Sequence, residues 1–112
     1  MDIATSKNGV PIRLTEERWF HITEEHSEMA GYYFEVLETV EEPEVIYEGK
    51  TGECIAVKGI ETGKYIVVVY RELNKEDGFI ITAFITKRKK NNLKGEKFYG
   101  SVRGKKHINT CT

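Results

Sequence analysis

The stretch KYIVVVYRELNKEDGFIITAFITK, residues 64–87, decides the fold of this chain. It contains two runs rich in β-branched and aromatic residues, KYIVVVYRE (64–72) and FIITAFITK (79–87), and such residues favour β-strands. The polar loop NKEDG (74–78) between them is typical of a turn. Strands joined by so short a connection pair antiparallel, so the sequence predicts a β-hairpin here.

The residues before this hairpin extend the same pattern. We expect further strands at 44–48 and 53–58, separated by the turn GKTG (49–52) and followed by the turn IETG (60–63). The four strands then form an antiparallel meander. Alternation along each strand sorts the side chains onto two faces. The expected faces are Tyr65, Val67 and Val69 against Ile66, Val68 and Tyr70 in the third strand, and Ile80, Thr82, Phe84 and Thr86 together in the fourth.

The residues before the meander have helical periodicity. Thr15 is a suitable N-cap for a first helix, and Glu16 and Glu17 suit its positive end. Gly31 marks a break, and Pro43 ends a second, amphipathic helix. The predicted architecture is α+β, with two N-terminal helices packed on a four-stranded antiparallel sheet, in one domain over residues 1–90. Residues 91–112 form a basic C-terminal tail, either flexible or adding a short edge strand. The apolar face of the second helix comprises Met29, Tyr32, Tyr33, Val36, Leu37 and Val40.

Composition limits the functional classes. A chain of 112 residues supports one hydrophobic core, and it contains no apolar run long enough to cross a membrane. The N-terminus lacks the pattern of a secretory signal, so we expect a cytoplasmic protein. The two cysteines are expected to be a buried thiol, Cys54, and an exposed tail residue, Cys111, with no disulfide between them.

Charge is distributed unevenly along the chain. Residues 1–62 carry 14 Asp/Glu and 5 Lys/Arg, a balance of −9, whereas residues 63–112 carry 4 and 12, a balance of +8. The run KRKK (87–90), which begins with Lys87 and Arg88, directly follows the last predicted strand. It can present a basic face to phosphate, or it can be a solvated tail.

The motif HITEEH (21–26) invites a metal-site interpretation. His21 and His26 are five residues apart, which turns them about 140° from each other on a helix. Zinc sites on one helix need a spacing of three or four residues, and the motif matches neither HExxH nor HxxEH. We therefore expect no metal and no other cofactor. Each histidine could be a half-buried structural residue, or an acid/base group if the helix lies across the sheet.

Polar residues on the strands complete the set of groups that RNA cleavage without a metal requires. A base must remove the 2'-OH proton, an acid must protonate the leaving 5'-oxygen, and cations or hydroxyls must stabilise charge on the phosphate. His21 and His26 are candidates for the first two roles. The candidates on the strands are Lys58, Tyr70, Arg71, Thr82 and Thr86.

Four segments together resemble a known nuclease group. These are RLTEERWFHITEEHSEM, EPEVIYEG, KYIVVVYRE and GFIITAFITKR, spanning about residues 12–88. They resemble the phage and toxin branch of the barnase, EndoU, colicin and RelE nucleases, often called the BECR fold. Members of that branch carry a first helix of the form RWxHIxxxHxE and a last strand ending in a TAxxT-like motif, here Thr82 to Thr86. Ser27 departs from the pattern, because a proline is common after the second histidine.

The resemblance implies a metal-independent endoribonuclease that forms a 2',3'-cyclic phosphate. It implies that His26 and His21 supply the imidazole chemistry, that Lys58 or Arg71 contacts phosphate, and that Thr86 places a hydroxyl near the reacting phosphate. RNA would be the substrate, and a toxin would need an antitoxin or immunity protein as partner. We add Tyr70 to the catalytic candidates, and Thr82, Lys87 and Arg88 to the substrate-binding candidates.

Two other functions remain open from the sequence. The same fold with a degenerate site could bind nucleic acid through KRKK and the tail without cutting it. The chain could instead be an interaction protein whose tyrosines Tyr32, Tyr33 and Tyr47 form a dimer face. The position of the histidines relative to the basic residues distinguishes these functions, and so does an assay for cleavage.

Overall fold

A computed structural model of the chain describes residues 1–87, which form a mixed six-stranded sheet with two α-helices. The order along the sheet is β1-β2-β6-β5-β4-β3. The helices α1 and α2 follow β2 in the chain, with a 3-10 helix, Ser27–Gly31, between them. The element bounds are β1 Asp2–Thr5, β2 Pro11–Leu14, α1 Glu16–Glu25, α2 Tyr33–Glu41, β3 Val45–Glu48, β4 Cys54–Glu61, β5 Lys64–Asn74 and β6 Asp77–Thr86.

The predicted architecture is wrong, because the sheet has six strands and is mixed rather than a four-stranded antiparallel meander. Strands β3 to β6 pair antiparallel in sequence order, close to the predicted ranges. The helices, however, lie between strands in the chain rather than at its N-terminus, because the hairpin of β1 and β2 precedes them. Strand β2 pairs with β6 in parallel, at Ile12 with Gly78 and at Arg13 with Phe79, so the sheet is not antiparallel throughout.

The first two strands escape prediction because their place in the sheet depends on a distant partner, β6. Pro11 stands at the first position of β2, where a strand tolerates the missing N–H. A bidentate ion pair fixes the parallel join: the Arg13 guanidinium donates to both carboxylate oxygens of Asp77, at 2.9 and 3.1 Å. The two partners are 64 residues apart in sequence. Pairing at that separation leaves no local periodicity to detect.

The predicted ends of the helices agree with the structure. Thr15 caps α1, since its hydroxyl oxygen accepts a hydrogen bond from the Arg18 N–H at 3.1 Å. The 3-10 helix ends at Gly31, where the sequence predicts a break, and α2 ends at Glu41, before Pro43. The side chains of Ile22, Met29, Val36 and Val40 are buried against the sheet.

The two faces of the sheet belong to separate apolar clusters. On the helix side, Ile66, Val68 and Tyr70 of β5 join the main core with the buried residues of both helices. On the other side, which we call the open face, Val67 and Val69 pack with Val57 and other strand residues. Alternation therefore assigns β5 correctly. The remaining members of the open-face cluster are Val45, Tyr47, Ile55, Tyr65 and Phe84.

A register shift corrects the assignment of β6. Val69 is opposite Thr82, but the next residue, Tyr70, is opposite Ile80, so Ile81 is an extra residue in β6. Ile80 consequently joins the helix-side core, and the expectation that it shares a face with Thr82 is wrong. A β-bulge of this kind changes which side each following side chain faces.

The expectation for Cys54 is half correct. Cys54 is fully buried in the helix-side core, as predicted. It is disulfide-bonded, however, so the expected free thiol is wrong. Cys111 and the rest of the predicted tail, residues 91–112, lie outside the described residues.

Candidate functional site

His26 lies at the C-terminal end of α1, beside β6. It is the C-cap residue of the helix, and its N–H donates to the carbonyl oxygen of Ile22 at 2.7 Å. Its imidazole packs on the ring of Phe84, with 5.8 Å between the ring centroids. Its side chain is 35% exposed, and Nδ1 is 3.9 Å from a carboxylate oxygen of Glu28. The imidazole is thus held at the margin of the sheet while part of it stays open to solvent.

The neighbours of Phe84 along β6 are two of the predicted hydroxyl residues. Thr82, Phe84 and Thr86 lie on the open face, opposite Val69, Val67 and Tyr65 of β5 respectively. Thr82 is half-buried and Thr86 is buried. The structure therefore places the His26 imidazole against Phe84, on the strand that also carries Thr82 and Thr86.

His21 is in a different environment from His26. It lies on the outer surface of α1 with its side chain 51% exposed, and its Nε2 is 3.9 Å from a carboxylate oxygen of Glu17. Its ring contacts the exposed Phe20 on the same helix. None of these contacts is with the sheet.

Tyr70 is enclosed in the helix-side core. Only 1% of its surface is exposed, and its neighbours are apolar residues of both helices and the sheet. Burial, with a smaller contribution from the nearby Glu72, raises the pKa of the Tyr70 hydroxyl above its usual range. These surroundings suit a structural residue, and they separate Tyr70 from the threonines on the opposite face.

Lys58 also lies on the helix side. Its ammonium nitrogen is 3.2 Å from a carboxylate oxygen of Glu38 on α2. The two side chains border a cleft of about 230 Å³ between α2 and the β4–β5 hairpin. The other residues that line it are Tyr32, Glu35, Thr39, Gly59, Ile60 and Glu61. With three glutamates and one lysine, this cleft does not favour phosphate.

Arg71 lies beyond the apolar part of the open face, near the β3–β4 turn. Its guanidinium donates to the carbonyl oxygen of Thr51 at 2.9 Å and to the Thr51 hydroxyl at 3.1 Å. It also lies 3.7 Å from Glu53. Partial burial raises the pKa of the Glu53 carboxyl, but hydrogen bonds from Thr51 and the charge of Arg71 outweigh this and leave the pKa below its usual value. Arg71 thus has local partners that any phosphate would have to displace.

Of the basic run KRKK (87–90), the structure describes only Lys87. Lys87 is exposed and directly follows Thr86 at the end of β6. Arg88 lies outside the described residues. The predicted site residues therefore divide into three groups: His26, Thr82, Thr86 and Lys87 along β6, Arg71 at the far end of the open face, and His21, Lys58 and Tyr70 elsewhere.

Comparison with known proteins gives no relative from which a function for this site could be inferred. No family model, no curated protein and no solved structure matches the chain. Within residues 1–87, no three His, Cys, Asp or Glu side chains form a group that could hold a metal ion. The helices described are all too short or too polar to span a bilayer.

Sequence reasoning overlooked Phe84 as a site residue and misjudged the tyrosines. Phe84 was visible as an apolar strand residue, but nothing local shows that a helix end would bring His26 onto it. Tyr33 lies in the helix layer, where its hydroxyl donates to a carboxylate oxygen of Asp2 at 2.6 Å. Tyr47 lies on the open face of the sheet. The predicted tyrosine dimer face is therefore split between the two sides. The exposed aromatics of the helix layer are Phe20 and Phe34.

Proposed function

We propose that the chain is a metal-independent endoribonuclease whose reacting groups lie along β6. The observation that carries the proposal is the contact of the His26 imidazole with Phe84, 5.8 Å between ring centroids, next to Thr82 on the same strand. An imidazole that is partly shielded and partly open to solvent suits proton transfer to a bound substrate.

In the proposed reaction, His26 accepts the proton of the ribose 2'-OH. The 2'-oxygen attacks phosphorus, the bond from phosphorus to the 5'-oxygen breaks, and the departing 5'-oxygen takes up a proton from solvent, while the His26 imidazolium releases its proton to solvent. The products are a 2',3'-cyclic phosphate and a free 5'-OH, so no water and no cofactor is consumed. In this proposal the Thr82 hydroxyl donates to a phosphate oxygen, which would stabilise the charge that develops there.

Charge supports an approach from the side of β6. The helix layer, residues 16–42, contains nine glutamates and one arginine, so it repels a polyanion. KRKK begins at the end of β6, where Lys87 is exposed. His21 lies on the acidic helix surface with Glu17, and the proposal gives it no role in the reaction. An antitoxin or immunity protein stays an expectation from the family resemblance.

The proposal is tested with the full-length protein, EDTA and three oligonucleotides of one sequence. These are an RNA, the corresponding DNA, and the RNA with a 2'-O-methyl group at the mapped cleavage position. We expect cleavage of the RNA alone, with a cyclic phosphate on the upstream product. DNA cleavage, or cleavage of the 2'-O-methyl RNA at the blocked position, would contradict the role of the 2'-OH.

A binding module that does not cut is the second candidate, because the predicted catalytic residues lie on different sides of the sheet. If the folded wild-type protein leaves the RNA intact in EDTA but retards it in a gel, this second function replaces the first. Retardation that disappears at high salt would indicate phosphate contacts.

A further inference from the structure

The helix layer exposes aromatic side chains at its surface. Phe34 on α2 is 74% exposed, and Phe20 on α1 is 59% exposed. Three rings link the two helices in edge-to-face contacts: the centroids of Trp19 and Tyr33 are 5.1 Å apart, and those of Tyr33 and Phe34 are 5.3 Å apart. We call Trp19, Tyr33 and Phe34 the aromatic row. Large apolar groups that are exposed and in contact with one another are typical of a surface that binds a partner.

The fold accounts for only part of the aromatic row. Trp19 and Tyr33 are half-buried and pack against the main core. Phe34 packs on Tyr33 but leaves most of its surface in solvent. Phenylalanine is also a weaker helix former than the polar residues that usually occupy exposed helix positions. Stability of the fold therefore gives no reason for Phe34, whereas a partner that packs on its ring does.

The surface around the aromatic row is negatively charged. The helix layer contains nine glutamates, with Arg18 as its one positively charged lysine or arginine. Within residues 1–87, lysines pair with two of these glutamates, Glu38 with Lys58 and Glu42 with Lys7. In that part of the chain, the other seven glutamates have no lysine or arginine partner. The helix layer therefore keeps a large negative charge.

This charge reaches the aromatic row itself. The Tyr33 hydroxyl donates to a carboxylate oxygen of Asp2 at 2.6 Å. Partial burial, this hydrogen bond and the negative charges of Asp2 and Glu16 raise the pKa of the Tyr33 hydroxyl to about 12. Carboxylates thus lie beside rings whose faces are themselves electron-rich, and both groups attract cations.

Arginine is the side chain that meets both features. Its guanidinium stacks on an aromatic face and forms paired hydrogen bonds with a carboxylate. Nucleic acids and anionic lipid surfaces are repelled by the same negative charge. The surface therefore fits a basic protein and not a polyanion.

We propose that the helix layer docks a basic protein partner, through an arginine-rich segment that stacks on Phe34 and pairs with the surrounding carboxylates. The inference rests on the exposure and charge of the helix layer and does not depend on ribonuclease activity.

Fluorescence anisotropy with the full-length protein tests the docking. The probe is a fluorescein-labelled peptide of alternating arginine and glycine, about 12 residues long, which extends over about 40 Å. Its control peptide has glutamate in place of arginine. We expect saturable binding of the arginine peptide and none of the glutamate peptide.

Two pairs of variants locate the binding on the helix layer. Phe34→Ala should weaken binding at least about threefold, the loss expected for one cation–π contact at an exposed site. Leu73→Ala removes a side chain of β5 that is 51% exposed, and it should leave the affinity unchanged. Glu16→Gln, beside Tyr33, should also weaken binding. Glu76→Gln removes the same charge from the exposed turn before β6 and should not.

Three outcomes would overturn the proposal. The first is no saturable binding of the arginine peptide to wild-type protein that circular dichroism shows to be folded. The second is an equal effect of Phe34→Ala and Leu73→Ala, which would mean that the aromatic row does not contact the peptide. The third is a wild-type dimer in analytical ultracentrifugation that Phe34→Ala converts to a monomer, which would mean that a second copy of the chain occupies the surface.

Discussion

The two faces of strand β5 show how neighbouring residues of one strand take different roles. On the helix side, Ile66, Val68 and Tyr70 lie in a core closed by two helices, and the polar group of Tyr70 is enclosed with them. On the open face, the row from Val67 to Arg71 runs from apolar to charged within four residues. The difference teaches that a polar residue on a strand is available for chemistry only if its face leaves it accessible. That condition favours the candidate residues on the open face and excludes Tyr70 as a catalytic residue.

The largest expected effect compares equal truncations on the two faces. Val68 on the helix side and Val67 on the open face are neighbours, and both are fully buried. Val68→Ala should lower the free energy of unfolding by about 1.5 to 3 kcal/mol, through lost burial and a cavity that the packed helices cannot fill. Val67→Ala should cost less, because within residues 1–87 the apolar side chains packed around Val67 all come from strands of the same sheet, which can adjust more easily than a packed helix layer. Urea denaturation measures both, and a greater loss at Val67 would reverse the comparison.

Two glycines test how tightly each face is filled. A Cβ on Gly78 would lie 2.6 Å from both the Arg71 carbonyl oxygen and Ile12, on the helix side of the join between β2 and β6. Gly78→Ala should therefore destabilise by about 1 to 3 kcal/mol. At Gly59, opposite Tyr65, the nearest atom is a carboxylate oxygen of Glu44 at 3.4 Å. Gly59→Ala should change stability by no more than about 0.5 kcal/mol. Thermal melts that rank the two variants in the opposite order would contradict this account.

The smallest effect concerns the polar end of the open face. The pKa of Glu53 is lowered in the folded state, since hydrogen bonds from Thr51 and the charge of Arg71 outweigh partial burial. A lowered carboxyl pKa stabilises the fold above the unfolded-state pKa, here 4.5, and that contribution is lost as the pH falls through the folded pKa. Glu53→Gln should cost about 1 kcal/mol or less at pH 7, and nothing at pH 2. A constant difference between the two proteins from pH 7 to pH 2 would argue against this role of the charge.

The meander and the helix boundaries could be predicted because their signals are local. Thr15, Gly31 and Pro43 mark helix ends through backbone chemistry that acts within a few residues. The alternation that separates Val67 from Val68 follows directly from strand geometry. These features depend on no distant partner.

The features that could not be predicted from the sequence depend on contacts between residues far apart in the chain. The pairing of β2 with β6 depends on Arg13 and Asp77, 64 residues apart, and the extra residue in β6 moves Ile80 to the other face. The site is affected in the same way. Helical spacing shows that His21 and His26 diverge, but only the packing of α1 beside β6 shows which of the two reaches the sheet.

The most direct test of the central claim compares single-turnover RNA cleavage by the wild type, His26→Ala and His21→Ala in EDTA, with circular dichroism to confirm that all three are folded. The account predicts that His26→Ala lowers the rate at least about 100-fold, the usual lower limit for loss of a general base, and that His21→Ala stays within about twofold of wild type. A rate unchanged by His26→Ala, or abolished by His21→Ala, would contradict the account.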